Sequence, residues 1–363
     1  MVARIDTSPC PAPAWLPGGN LQTLYGALAA HHHTISFVRH RVNTPDGDFI
    51  DFDWSGPGLF TDRLATGESA PGDTRLNGTG AKRWIAPGDW ASLPDSRDTP
   101  ALILFHGLEG SSRSHYAQSI AQHFRARGWV VVIAHFRGCS GFPNRMARAY
   151  YSGDTADVLF MLDTVRHQLP NVRWHAVGVS LGGNAMLKAL GEQAADLRWL
   201  DAAAAVSVPM DLVSCGNTLS QTRMGRQVYT RYFLKSMRAK MHEKARRFPG
   251  NIDSYRLGGS KTLRDFDDAY TAPMHGYRNA LDYWTKASSK PALKTIQTPT
   301  LVLNARNDPF VPEASLPGTE EASDVVLLHQ PAEGGHASFV TGPFPGHLRW
   351  LPVRLERFFE LKT

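Results

Sequence analysis

Near-continuous apolar runs constrain this chain more than any other feature of it. Six occur beyond residue 100: ALILF at 101–105, WVVVIA at 129–134, WHAVG at 174–178, AAAAVS at 202–207, TLVLN at 300–304 and VVLLH at 325–329. A strand that is apolar on both alternating faces is buried on both, the condition of a parallel sheet covered by helices on each side. Between most of these runs, residues 116–127, 154–168 and 184–192 place apolar side chains three and four apart, the period of a helix with one buried face. The alternation predicts an α/β fold built on a mostly parallel sheet.

Two more strands precede these runs. Residues 34–42 and 48–54 alternate apolar and polar side chains about Pro45-Asp46-Gly47, which is turn chemistry. An antiparallel hairpin is therefore expected to extend the sheet at one edge, making eight strands. From 56 to about 98, Gly, Pro, Ser, Thr and charged residues prevail without lasting periodicity, which reads as a surface insertion carrying no core. Between 210 and 298 helical patterns replace strand signals and predict a helical cap or lid. The expected division is an N-terminal segment 1–33, a core of 34–209 and 299–363, and a cap of 210–298. Within the cap, 223–247 carries nine Lys or Arg against Glu243 alone, with Val228, Tyr232, Phe233, Met237 and Met241 at helical spacing. That pattern predicts a solvated helix with its apolar face inward; its rival is a weak contact with a membrane surface.

Charge and cysteine usage remove several functions. Lys plus Arg exceed Asp plus Glu by 39 − 33 = 6, too small an excess to argue for nucleic acid. No run of about 18 apolar residues is present to span a bilayer, and MVARIDTSPCPAPAW has no apolar signal region, so a cytoplasmic location is expected. Cys10, Cys139 and Cys215 form neither a disulfide framework nor a zinc-binding pair, and His31-His32-His33 do not share a helix face, so no metal is expected.

The chemistry gathers at strand ends. Gly178-Val-Ser-Leu-Gly182 matches G-x-S-x-G and stands between a predicted strand and a predicted helix, where a nucleophile elbow would hold Ser180 on a tight turn. A serine hydroxyl needs a base to take its proton and a carboxylate to orient that base, and behind such an elbow the chain order is Ser, acid, His. Asp308 follows the next-to-last predicted strand and His336 the last, placing both at the same sheet edge as Ser180. Taken singly, a turn aspartate before proline and a Gly-Gly-His loop are ordinary structural features; in this order, behind an elbow, they specify a triad. Its oxyanion would be held by the backbone N–H groups of Leu181 and of Leu108 in His106-Gly-Leu-Glu-Gly110. His106 reads as an organiser of that loop, with a catalytic base as its rival. Arg137 reads as a brace for the loop after the fourth strand, with recognition of a substrate carboxylate as its rival. Cys139 reads as packing, and Glu109 as ambiguous.

In these motifs the sequence resembles the α/β-hydrolase superfamily, and within it the YheT-like branch related to eukaryotic lipid-ester hydrolases. The resemblance rests on Gly19-Asn-Leu-Gln-Thr-Leu24, Thr44-Pro-Asp-Gly-Asp48, His106 to Ser112 with Ser114-His-Tyr116, Phe136-Arg-Gly-Cys-Ser-Gly141, Gly178 to Asn184, Val206 to Asp211, Asn304 to Pro312 and Gly334-Gly-His336. It implies an α/β-hydrolase fold and cofactor-free, serine-dependent hydrolysis of carboxylic esters, with Ser180, Asp308 and His336 as the triad. Two departures stand out: the long 56–98 segment, and Ala337-Ser338 after the histidine in place of an apolar-glycine pair. The expected activity is a carboxylesterase acting on small-molecule esters of short to medium acyl length. The alternatives are a membrane-associated lipase, phospholipase or thioesterase on longer chains, and a non-catalytic binding protein of the same fold.

Overall fold

The computed structural model describes residues 2–30, 34–59, 76 and 79–361. The three histidines at 31–33 lie outside the described residues, as do 60–75 and 77–78 of the 56–98 stretch. Ten strands occur in chain order: β1 Arg4–Asp6, β2 Phe37–Asn43, β3 Phe49–Ser55, β4 Ala81–Trp84, β5 Pro100–Phe105, β6 Val130–Ala134, β7 Arg173–Val179, β8 Ala202–Val206, β9 Thr300–Leu303 and β10 Val326–His329. They form one sheet in the order β1-β10-β9-β8-β7-β5-β6-β3-β2-β4. Pairing is parallel except where β3 meets β2 and β6.

Alternation along β5 shows why its sequence is apolar throughout. Leu102 and Leu104 pack on one face with Ile120, Phe124 and Phe358, while Ile103 and Phe105 pack on the other with Leu162, Met186 and Leu190. Each face has its own helical layer, the two-sided burial that a parallel sheet requires. The order reverses at β5: from β5 the chain crosses to β6 on one side and then returns to β7 on the other. Loops leaving the carboxyl ends of strands diverge at such a switch point and leave a crevice for a ligand. Ser180 lies there, directly after β7.

Four sequence expectations need correction. The sheet has ten strands, not eight, because β1 and β4 are three- and four-residue edge strands too short and polar to show a period. The β2–β3 hairpin is not the edge, since β4 pairs beyond β2. β3, paired on both sides by β2 and β6, is buried along its whole length, and its polar positions are matched internally: Arg39 forms a bidentate pair with Asp53 at 2.6 and 2.8 Å, and Arg41 does the same with Asp51 at 2.7 and 2.8 Å. The 56–98 stretch does contribute core, for Leu59 and Leu93 are buried with Trp54 and Trp90 packs its ring edge-on against Trp54. Its isolated apolar residues lack a period because they dock individually.

Between β8 and β9 the described chain is helical, from Leu212–Gln221 to Lys290–Lys294. Tyr232, expected on the inward face, is instead 72% exposed, whereas Tyr229 and Leu234 are buried. A π-helical turn at Gly225–Tyr229 precedes the helix Thr230–Arg247. At about 100° per residue Tyr232 lies about 180° around this helix from Met241 whereas Leu234 lies within about 20° of it, so grouping Tyr232 with the inward residues misreads the period. Phe233, Met237 and Met241 still face inward. Among the described residues no helix is long and apolar enough to cross a membrane.

Candidate active site

Ser180 joins β7 to the helix Leu181–Glu192 with φ 52° and ψ −121°, a conformation that side chains rarely adopt. The flanking glycines make the turn sterically possible. A Cβ on Gly178 would fall 2.5 Å from the Gly183 Cα, and one on Gly182 would fall 2.5 Å from the carbonyl oxygens of Phe105 and His106. The Ser180 N–H donates to the Val206 carbonyl at 2.9 Å, which fastens the turn to β8.

The Ser180 Oγ lies 3.0 Å from His336 Nε2, and His336 Nδ1 lies 2.8 Å from Asp308 Oδ2. A carboxylate accepts only, so the network assigns the imidazole proton to Nδ1 and leaves Nε2 to accept from the serine hydroxyl. Asp308 turns on itself: its Oδ1 accepts the N–H groups of Phe310 at 2.8 Å and Val311 at 3.3 Å. This Asx turn aims the second oxygen at the histidine. The Phe310 ring stacks on His336 with centroids 4.1 Å apart and limits its rotation.

The histidine loop is held from two distant parts of the chain. The His336 N–H donates to Thr23 Oγ1 and the Ala337 N–H to Ser207 Oγ, each at 2.8 Å. Gln22 Oε1 accepts from the Gly334 N–H at 3.0 Å and from Asn307 Nδ2 at 3.1 Å, while Asn307 Oδ1 accepts the Gly335 N–H at 3.0 Å. The helix Gly19–Leu28 thus ties the aspartate loop to the histidine loop, and Asn307 acts as a brace beside the acid. Sequence reasoning assigned no role to Gln22, Thr23 or Ser207. Gly19-Asn-Leu-Gln-Thr-Leu24 was visible as a motif, but only the fold reveals what it touches.

The 106–110 loop lies against the nucleophile, since a Cβ on Gly107 would be 3.1 Å from the Ser180 Cβ. His106 is fully buried; its Nε2 accepts the Phe136 N–H at 3.1 Å, so Nδ1 carries the proton and donates to the Gly107 carbonyl at 2.8 Å. Burial, followed by the neighbouring His135, pushes its pKa down to about 3. With Nε2 already engaged it has no free acceptor for a substrate proton, which excludes the general-base reading. Leu181 opens its helix, where an N–H has no partner within the helix. Arg137 is a brace: it is bidentate with Asp157 at 2.7 and 2.8 Å and reaches Asp46 at 2.9 Å and Asp48 at 3.0 Å. Cys139 is a buried thiol whose pKa burial pushes up to about 11. Among the described residues no group of His, Cys, Asp and Glu could hold a metal ion.

Ser180, Leu181, Leu108 and His336 open into a cavity of ≈ 420 Å³ whose far walls include Phe233, Met237, Met241, Leu212 and Trp284. Three carboxyl side chains also line it, those of Glu109, Glu243 and Asp267. Burial pushes Asp267 up to about 7 against hydrogen bonds from Thr271 and Trp284. In that state it binds a proton between about pH 4 and 7 that the unfolded chain has released, so its contribution to stability falls as pH rises through that window. Asp267→Asn should raise stability at pH 8 by about 2 kcal/mol, allowing for water in the cavity, and flatten the decline between pH 5 and 8. Urea midpoints at the two pH values measure both effects.

Residues 100–343 match the family described as alpha/beta hydrolase fold. The chain belongs to that family. Among its relatives in this hydrolase family, Escherichia coli "Putative esterase YheT" is 33% identical over 338 residues, 93% of this chain and 88% of the relative. Yeast "Monoacylglycerol lipase" is 28% identical across 95% of this chain and 79% of its own length; human "Phospholipase ABHD3" is 27% identical across 95% and 77%. The chain therefore falls in the YheT-like branch of α/β hydrolases, which is related to eukaryotic lipid hydrolases. An esterase structure from Pyrococcus furiosus superposes with a TM-score of 0.53 at 13% identity, covering 99% of this chain and 97% of that one, a likeness of fold.

Proposed function

We propose that this α/β hydrolase is a carboxylesterase working through an acyl-enzyme on short- to medium-chain esters. The observation that carries the reading is the unbroken chain from Ser180 through His336 to Asp308, at 3.0 and 2.8 Å, opening into a mostly apolar cavity of ≈ 420 Å³. Ser180 Oγ attacks the ester carbonyl while His336 Nε2 takes its proton; His336 then gives that proton to the leaving alcohol. Asp308 holds the tautomer and stabilises the imidazolium. The Leu108 and Leu181 amides hold the oxyanion. Water, deprotonated by His336, attacks the acyl carbonyl and releases the acid. The 210–298 segment serves as a cap whose inward Phe and Met side chains enclose the acyl chain.

A second reading, a lipase, phospholipase or thioesterase working at a membrane face on longer chains, is favoured by the outer side of Thr230–Arg247. Arg231, Tyr232 and Lys235 are exposed together there, with Arg226 on the preceding turn. A p-nitrophenyl ester series from acetyl to palmitoyl separates the two. The esterase reading expects rates to peak at short to medium chains with no response to anionic vesicles. Rates that climb with chain length and fall when Arg231 and Lys235 are replaced by glutamine would favour the membrane reading. Failure of a fluorophosphonate probe to label Ser180 would leave only the binding-protein alternative.

A further inference from the structure

Residues 107–110 form a turn closed by the Gly110 N–H donating to the Gly107 carbonyl at 2.9 Å. Glu109, third in that turn, has φ 55°, and Leu108 before it is not in the left-handed region. This is the turn position where glycine costs least and any other residue is strained. A glutamate kept at such a position raises the question of what its side chain does.

Its surroundings answer. The Glu109 side chain is 8% exposed, and its Oε1 accepts from Lys240 Nζ at 2.9 Å and from the Tyr150 hydroxyl at 3.0 Å. Ser236, one turn before Lys240 on the helix Thr230–Arg247, donates to Oε2. The Glu109 N–H in turn donates to the same Tyr150 oxygen at 2.7 Å. The adjoining Gly107 carbonyl is fixed by His106 Nδ1 and the Gly110 N–H. Because a trans peptide points its C=O and N–H in opposite directions, fixing that carbonyl fixes the direction of the Leu108 N–H.

We infer that Glu109 is a positioning residue through which the helix Thr230–Arg247 sets the place of the Leu108 amide beside Ser180. The inference rests on the reading of Leu108 as an oxyanion donor. In consequence, the helix does more than wall the acyl cavity: when Lys240 and Ser236 grip Glu109, the oxyanion loop is completed, and when they release it the loop loses its outer anchor. A displacement of an ångström at such a donor costs one to two orders of magnitude in rate.

Glu109→Gly is the informative variant, because it retains the turn and relieves its strain while cutting the tie. It should still fold cooperatively, the relieved turn strain offsetting part of the lost Lys240 ion pair, yet show kcat per fluorophosphonate-titrated site lowered about 10- to 100-fold with KM changed little. The inhibition constant of a trifluoromethyl ketone, which forms an oxyanion on the serine, should rise in proportion to the loss in kcat/KM. Lys240→Met should behave alike, Lys240→Arg should recover most of the rate, and the Glu109→Gly/Lys240→Met double variant should lose no more than either single one. Wild-type kcat and ketone affinity in Glu109→Gly would overturn the inference, as would a fall in thermal stability alone. If the wild-type enzyme leaves Ser180 unlabelled, it is the underlying hydrolase assignment that fails instead.

Discussion

Ser180→Ala should lower kcat/KM toward p-nitrophenyl esters by roughly 10⁴-fold or more and abolish fluorophosphonate labelling, while leaving the fold intact. The size of the loss follows from the arrangement. The hydroxyl 3.0 Å from His336 is the only group removed, and under the proposed mechanism a triad without its nucleophile retains only binding and oxyanion stabilisation. Ser180→Gly should be equally inactive but more stable than the wild type by about 1 kcal/mol, because glycine accepts φ 52° and ψ −121° without a clashing Cβ. Thermal or urea denaturation of the two variants measures the difference. Equal stability of the alanine and glycine forms would mean that the elbow stores no strain, and ester turnover surviving in both would remove Ser180 from the mechanism.

Arg137→Met should cost about 3–5 kcal/mol, the largest stability loss expected of a single surface-remote substitution here. The methionine roughly matches the arginine stem in bulk but leaves Asp48 and Asp157, whose side chains are 0% and 4% exposed, without their shared cation. Burial by itself would raise the Asp48 carboxyl; hydrogen bonds from Asn144, the Arg145 and Phe49 N–H groups and Arg137 hold it below its ordinary value. A carboxylate with a lowered folded pKa stabilises above its unfolded value of about 4 and loses that contribution as pH falls below it. The variant should therefore unfold at a higher pH during acid titration as well as at a lower urea concentration. An unchanged acid midpoint would show that the aspartates find other partners.

The sheet interior and the three strand-end residues were legible because each depends on local pattern. Continuous apolar runs reveal a strand buried on both sides, and Ser180, Asp308 and His336 each stand just beyond one such run, where parallel topology brings carboxyl ends to one edge. His106 and Arg137 could be ranked as organisers from their loops, and their hydrogen bonds agree. What escaped was set by partners far away in sequence. β1 and β4 carry too few residues to show a period, and β1 becomes a strand only by pairing with β10. Tyr232 escaped for a different reason: it stands on the side of its helix opposite Met241, and an aromatic ring can lie on a solvent face as well as on a buried one.

Sequence alone determined the α/β architecture, the chain order of serine, acid and histidine, and the glycines that let a serine occupy a strained turn. Each is a consequence of periodicity or of backbone sterics within a few residues. Tertiary structure decided that Thr23 and Ser207 aim the histidine loop, that Gln22 joins it to the aspartate loop, and that Lys240 reaches Glu109 beside the proposed oxyanion donor. These polar contacts join segments between 130 and 313 residues apart. Their donors and acceptors are common side chains that carry no local signal, and they acquire a role only when burial removes water as the competing partner.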